Sequence, residues 1–257
     1  MIPLGFFSVC LRATQLDKTV DFYKALGFLP VGEDAPGLRV SLTYRSQSLT
    51  FMSFLQNNLI NFRGAHIHRL KECMKQIGMP ITLFEEFKSE ERLMLDDEGN
   101  PLPDNECGNF SIEDPDGHEF FFNTHREERE PFESAVLDSS PTISGMPFDD
   151  RNMPNVIYAL HVSDLVASQR FYESLGLVVK READVAWIYP PNDVGNTRYL
   201  FQLRQGSGNR VAITLSQADL NPDTLRSLGL EPINKAGVEW VGHDPDGRAI
   251  EFASFTT

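Results

Sequence analysis

SVCLRATQLDKTVDFYKALGF, Ser8 to Phe28, decides the fold, because a second stretch copies it: IYALHVSDLVASQRFYESLGL, Ile157 to Leu177. Leu11 matches Leu160, Phe22-Tyr23 matches Phe171-Tyr172, and Leu26-Gly27 matches Leu175-Gly176, each at an offset of 149 residues. Within each copy the apolar period changes once. Val9, Leu11 and Ala13 alternate with Ser8, Cys10, Arg12 and Thr14, the period-two signature of a strand covered on one face. From Leu16 the spacing turns helical, through Val20, Tyr23 and Leu26, and Gly27 stands where a C′ glycine stops a helix. Asp164 is placed to cap the second helix, and Gln15 holds that place in the first.

A second repeated block closes each half. Asp114-Pro115-Asp116-Gly117 runs into HEFFFN, and Asp244-Pro245-Asp246-Gly247 into RAIEFAS, at an offset of 130. Pro presets φ and Gly accepts positive φ, so each block reads as a turn launching a final strand. Between the offsets, 149 − 130 = 19 residues are extra in the first half. The acidic, turn-rich stretch near 84–106 accounts for them, as a lid or as decoration. Residues 128–154, rich in Pro, Ser, Asp and Glu and lacking apolar periodicity, read as a linker. The chain therefore divides into a first module at 1–127 and a second at 155–257.

Further strands are predicted near 28–33, 38–45 and 48–55 in the first module. In the second they fall near 178–182, 185–190, 198–204 and 210–216. Helices are predicted over His66–Ile77, stopped by Gly78, and roughly Pro222–Leu228, stopped by Gly229. Each half is thus β-α-β-β-β with a second helix before the last strand, an α+β chain.

The net charge of −14 opposes binding to nucleic acid or to an anionic membrane surface. Three widely spaced cysteines, Cys10, Cys73 and Cys107, suggest neither a disulfide framework nor a zinc finger. No apolar run is long enough to span a bilayer. These features predict a cytoplasmic protein with neither nucleic acid nor membrane as partner, and leave monomer and homodimer both open. No Gly-rich phosphate loop is present, and GSGN at 206–209 reads as a hairpin turn.

The first strand, the FYxxLG helix end and the late DPDG turn, repeated in order, resemble the vicinal oxygen chelate superfamily. That group includes glyoxalase I, extradiol dioxygenases and bleomycin-resistance proteins. The resemblance implies two βαβββ modules that curl a mixed sheet into a cup, with helices outside. It also implies a divalent metal held by a His, Gln or Glu on the first strand and a Glu on the last, with positions left for substrate oxygens. In this sequence the first-strand places fall on Ser8 and Ile157, and the last-strand places on Phe121 and Glu251. Glu251 alone suits a metal. A register slip of two offers Cys10 and Glu119 in the first module but only Ala159 and Ala249 or Ala253 in the second. Because a catalytic metal normally takes three protein ligands, the usual centre is not expected. Glu251 and His161 remain weak metal candidates.

Parity places Ser8, Cys10, Arg12, Glu119, Phe121 and Asn123 toward the cup from one module, and Ile157, Ala159, His161, Ala249 and Glu251 from the other. Either Gln202 and Arg204 or Tyr199 and Phe201 join them. Arg12 is suited to orient an anionic or carbonyl-bearing ligand. Glu251 reads equally as a base or as the ion-pair partner of Arg12. His66 and His68 open a helix on different faces; His118 and His243 flank turns. No histidine is placed to activate Cys10 as a nucleophile. Three functions compete: a binder of small organic molecules without the metal, an enzyme using a metal or Glu251, and a structural or regulatory module with a filled cup.

Overall fold

The computed structural model describes residues 4–31, 35–44, 47–82, 108–124, 156–191, 199–208, 210–216, 221–235 and 238–253. The stretch near 84–106, the linker at 128–154, Cys107 and the 206–209 turn's last residue lie outside them.

In the first module β1 (Phe6–Arg12) leads into α1 (Leu16–Ala25), then β2 (Leu29–Pro30), β3 (Arg39–Tyr44) and β4 (Gln47–Met52). β5 (Leu59–Arg63), α2 (Ile67–Gln76), β6 (Gly108–Glu113) and β7 (Glu119–Thr124) complete it. In the second module β8 (Val156–Val162), α3 (Leu165–Ser174), β9 (Val178–Glu182), β10 (Val185–Tyr189) and β11 (Phe201–Gln205) are followed by β12 (Arg210–Ser216), α4 (Pro222–Ser227), β13 (Glu231–Lys235), β14 (Val238–His243) and β15 (Ala249–Ala253).

Each module forms its own mixed sheet. The orders are β2-β3-β4-β1-β5-β7-β6 and β13-β14-β15-β12-β8-β11-β10-β9. Both obey one rule. A first strand pairs in parallel with the last strand of its unit, β8 with β11 and β12 with β15, while the two first strands meet antiparallel. Each module is therefore a pair of βαβββ units about a local two-fold axis, finer than the single unit plus helix read from sequence. β5, β6, β13 and β14 are the strands that reading missed. In the first module the bridge Thr82↔Ser111 holds the place of β13.

The local signals act as expected at three of the four ends of α1 and α3. Gly27 and Gly176 end α1 and α3 at φ 94° and 84°, which a Cβ would penalise. Asp164 caps α3 by accepting from the amides of Val166 and Ala167 at 2.8 and 3.1 Å. Gln15 makes no such cap; its side chain accepts from Lys18 Nζ instead.

Helices cover one face of each sheet, where the apolar parity residues Val9, Leu11, Phe120 and Phe122 are buried. The two covered faces share one core: Phe7 stacks on Phe201 at 6.0 Å, and Phe120 packs on Phe171, Tyr172 and Phe201. The repeated motifs meet there. Oδ1 of Asp114 accepts from the amides of Asp116 and His118 to close its turn, and Asp244 does the same for Asp246 and Arg248. The other carboxylate oxygen of each takes a tyrosine hydroxyl from the opposite module, Tyr172 on Asp114 and Tyr23 on Asp244. The residue after each DPDG block also crosses. Arg248 donates to the carbonyl of Arg12, and His118 Nε2 lies 2.8 Å from the carbonyl of His161. His118, read from sequence as a turn residue, is thus a buried contact between modules.

Candidate functional site

The uncovered face of the second sheet holds a cavity of about 430 Å³. β10 and β13 lie far apart in strand order, yet both reach it, so the sheet curls. Ile157, Val185, Trp187, Ile233, Val238 and Val241 form apolar walls. Gln202, Arg204, Thr214 and Glu251 form a polar floor. This make-up, apolar walls with a few converging polar groups, is that of a small-molecule pocket.

Register places the floor. Thr214 on β12 pairs with Ile157 on β8 and with Glu251 on β15, so the three side chains stand in one row. Arg204 reaches across the row. Its Nη1 donates to Glu251 Oε2 at 2.6 Å, its Nη2 to Thr214 Oγ1 at 2.7 Å and its Nε to Gln202 Oε1 at 2.6 Å. The Thr214 hydroxyl donates in turn to Glu251 Oε2 at 3.1 Å. Arg204 and Glu251 are 20% and 25% exposed, so the pair is strengthened by partial exclusion of water. The partner of Glu251 is thus Arg204, not Arg12. Arg12 is exposed at the end of β1, where its amide donates to Asn58 Oδ1. The open choice on the middle strand also resolves: Gln202 and Arg204 line the cavity, and Phe201 is core.

The remaining sequence candidates are divided between sheets. Ile157 and Glu251 line the second-module cavity. His161 lies one residue before the end of β8, half-buried, in register with Arg204 and Arg210. Burial, with the Arg204 charge second, holds its imidazole below the usual histidine range. Ser8, Cys10, Glu119 and Phe121 lie on the first sheet. Burial pushes the Cys10 thiol up to about 12, against a hydrogen bond from Ser8 and the charges of Arg39 and Arg63, which leaves it a poor nucleophile. Burial also raises Glu119, with Glu113 adding to the effect and an Asn57 hydrogen bond opposing it.

Sequence reasoning missed Thr214, Trp187 and Asn61. The second unit of each module supplies the signal, since β5 and β12 are themselves first strands and bring Asn61 and Thr214 into the rows Ser8–Asn61–Phe121 and Ile157–Thr214–Glu251.

These rows also test the metal that the family resemblance implies. Ile157 has no donor atom, Thr214 offers only a neutral hydroxyl, and the one carboxylate, Glu251, already binds a guanidinium. In the first module Ser8, Asn61 and Phe121 supply neither imidazole nor carboxylate. The residues present do not fit a divalent centre of the family type. Among the described residues, no group of three or more His, Cys, Asp or Glu is arranged to hold a metal ion.

No protein-family model matches the sequence. No curated protein matches it either. Solved structures do. The crystal structure of a catechol 2,3-dioxygenase is similar over 98% of this chain and 87% of its own, with a TM-score of 0.56 and 17% identity. Homoprotocatechuate 2,3-dioxygenase from Arthrobacter globiformis gives 0.54 and 16% over 99% and 80%. The 2,2',3-trihydroxybiphenyl 1,2-dioxygenase from Sphingomonas wittichii strain RW1 gives 0.52 and 15% over 98% and 90%. At such identities the likeness concerns fold and not chemistry. No helix among the described residues is long and apolar enough to cross a membrane. The chain carries the vicinal oxygen chelate fold in its two-module form.

Proposed function

We propose that the protein binds a small organic molecule in the second-module cup, without the usual metal centre of the family. One observation carries this reading: an apolar cavity of about 430 Å³ whose floor is an Arg204–Glu251 pair in place of metal ligands. The apolar walls supply binding energy through burial of a ligand's hydrocarbon body, and the floor sets its orientation. The cavity also favours this reading over a self-filled cup.

Trp187 provides the test, because it lines the cavity while the other tryptophan, Trp240, is buried in β14. A panel of aromatic and alicyclic fragments is expected to include compounds that shift tryptophan emission saturably and raise the melting temperature. The emission response should vanish in Trp187→Phe. A panel that changes neither emission nor melting temperature would count against the proposal.

A second reading, an enzyme with Glu251 as base, is favoured by one detail: Oε1 of Glu251 accepts no hydrogen bond among the described residues, while Oε2 is held by Arg204 and Thr214. It predicts slow solvent exchange of an acidic C–H in a bound ligand, lost in Glu251→Gln.

A further inference from the structure

The floor of the second-module cup has a definite pattern of used and unused hydrogen-bonding groups. A guanidinium carries two hydrogens on each terminal nitrogen. Arg204 spends one from Nη1 on Glu251 and one from Nη2 on Thr214, and the others have no partner among the described residues. Gln202 is buried, and its Oε1 is fixed by Arg204 Nε, which settles the orientation of the amide. Its NH₂ group makes no hydrogen bond among the described residues, and the side chain lines the cavity. Glu251 engages Oε2 twice and leaves Oε1 open. The floor therefore presents N–H donors beside a single carboxylate acceptor.

Charge narrows the choice of ligand. Arg204 and Glu251 cancel at 2.6 Å, so the floor has no net charge to offset that of a ligand. A carboxylate on the ligand would be stripped of water and set against Glu251, and an ammonium would be set against Arg204. An uncharged group with an acceptor and a donor on the same carbon meets neither penalty. Its carbonyl accepts from Arg204 or Gln202, and its N–H donates to Glu251 Oε1. The walls of Ile157, Val185, Trp187 and Val238 ask for an apolar, ring-containing body.

We propose that the cup recognises an uncharged carboxamide or lactam carried on an aromatic body, and discriminates against the matching carboxylate. The proposal rests on the ligand-binding reading of the same cavity.

The experiment compares 1-naphthamide with 1-naphthoate at pH 7 by calorimetry, on the intact protein and on Glu251→Gln. The intact protein is expected to bind the amide at least about tenfold more tightly than the acid. Glu251→Gln keeps the shape and removes the anion, leaving Arg204 uncompensated. In that variant naphthoate should gain roughly tenfold or more over its affinity for the intact protein, and the order of the two probes should invert. Naphthoate binding the intact protein as tightly as the amide overturns the proposal, whether or not the variant folds. Unchanged naphthoate affinity in a folded Glu251→Gln overturns it too. Other fragments binding while naphthamide does not overturns this inference alone. Silence of the intact protein toward both probes and the whole fragment panel overturns the binding reading beneath it.

Discussion

The hydroxyl of Tyr23 donates to Oδ2 of Asp244 at 2.9 Å, inside the protein and across the boundary between modules. Tyr172 repeats the bond to Asp114 at 2.7 Å. The two sequence signatures that mark each repeat are thus the two halves of one contact. A hydrogen bond from a buried hydroxyl to a carboxylate contributes roughly 1.5–3 kcal/mol, and a stranded buried acceptor costs more than a matched pair gains.

The two tyrosines should not be equivalent. Among the described residues Oδ2 of Asp114 has Tyr172 as its partner, whereas Oδ2 of Asp244 also accepts from Arg248 Nε at 2.6 Å. Tyr172→Phe is expected to cost about 2–3 kcal/mol in urea unfolding, and Tyr23→Phe about 1 kcal/mol. Equal losses, or the reverse order, would contradict the partner count.

Arg248 is a buried charge held by two carboxylates. Its side chain is 4% exposed, and it holds Asp244, which is fully buried, and Asp246. Removing one member of such a pair leaves an uncompensated charge, so Arg248→Met should cost about 3–5 kcal/mol. The double variant Asp244→Asn with Arg248→Met should recover a substantial part of that loss. A double variant no more stable than Arg248→Met alone would argue that packing, not charge, is what Arg248 supplies.

Metal affinity can be written into the second row. In the intact protein Zn(II), Mn(II) and Fe(II) are expected to leave the melting temperature unchanged. Ile157→His, Thr214→His and Arg204→Met together place two imidazoles beside a released Glu251 in the register β8–β12–β15. That triple variant should take up one Zn(II) per chain, seen by elemental analysis after dialysis. Stoichiometric metal in the intact protein would defeat the reading of the row.

Two groups should give stability slopes of opposite sign. His161 is held below its ordinary value of 6.5 by burial first and by the Arg204 charge. The unfolded chain then binds more protons than the folded one in the window under 6.5, so this contribution is complete above 6.5 and is lost as pH falls through the folded value. Glu119 is held above its ordinary value of 4.5, by burial first. Its contribution is complete below 4.5 and is lost as pH rises through the folded value. His161→Asn should flatten the acid-side slope of unfolding free energy. Glu119→Gln should gain on the native protein as pH rises from 4.5 through the folded value. Unaltered slopes in both variants would show that neither group titrates differently on folding.

The fold was legible because period-two and helical spacing are local signals, and because the repeat supplied each signal twice. Val9, Leu11, Leu16 and Tyr23 can be assigned a face from their neighbours alone. The strands β5, β6, β13 and β14 were harder to read. LINFR and GNFSIE bury consecutive residues rather than alternate ones, EPINK carries a proline, and these strands are placed by pairing within the sheet instead of by a clean period of two. The site depended on that pairing. Glu251 was marked from its distance to the DPDG turn, but Arg204 could be chosen over Phe201 only once the register with β8 and β10 was known. Arg12 has the right charge to pair Glu251 and stands on the wrong sheet, which spacing along a sequence does not reveal.

The tyrosine–aspartate exchange has a consequence for ancestry and assembly. Because each module offers the hydroxyl and also receives one, the contact is isologous, the kind that two identical chains make about a two-fold axis. A lone module bearing both signatures would be self-complementary, and the present chain joins two such modules end to end. Joining turns a bimolecular encounter into an intramolecular one at high effective concentration. That lets the two floors differ while the contact holds: one carries an arginine–glutamate pair, and its counterpart row is Ser8, Asn61 and Phe121.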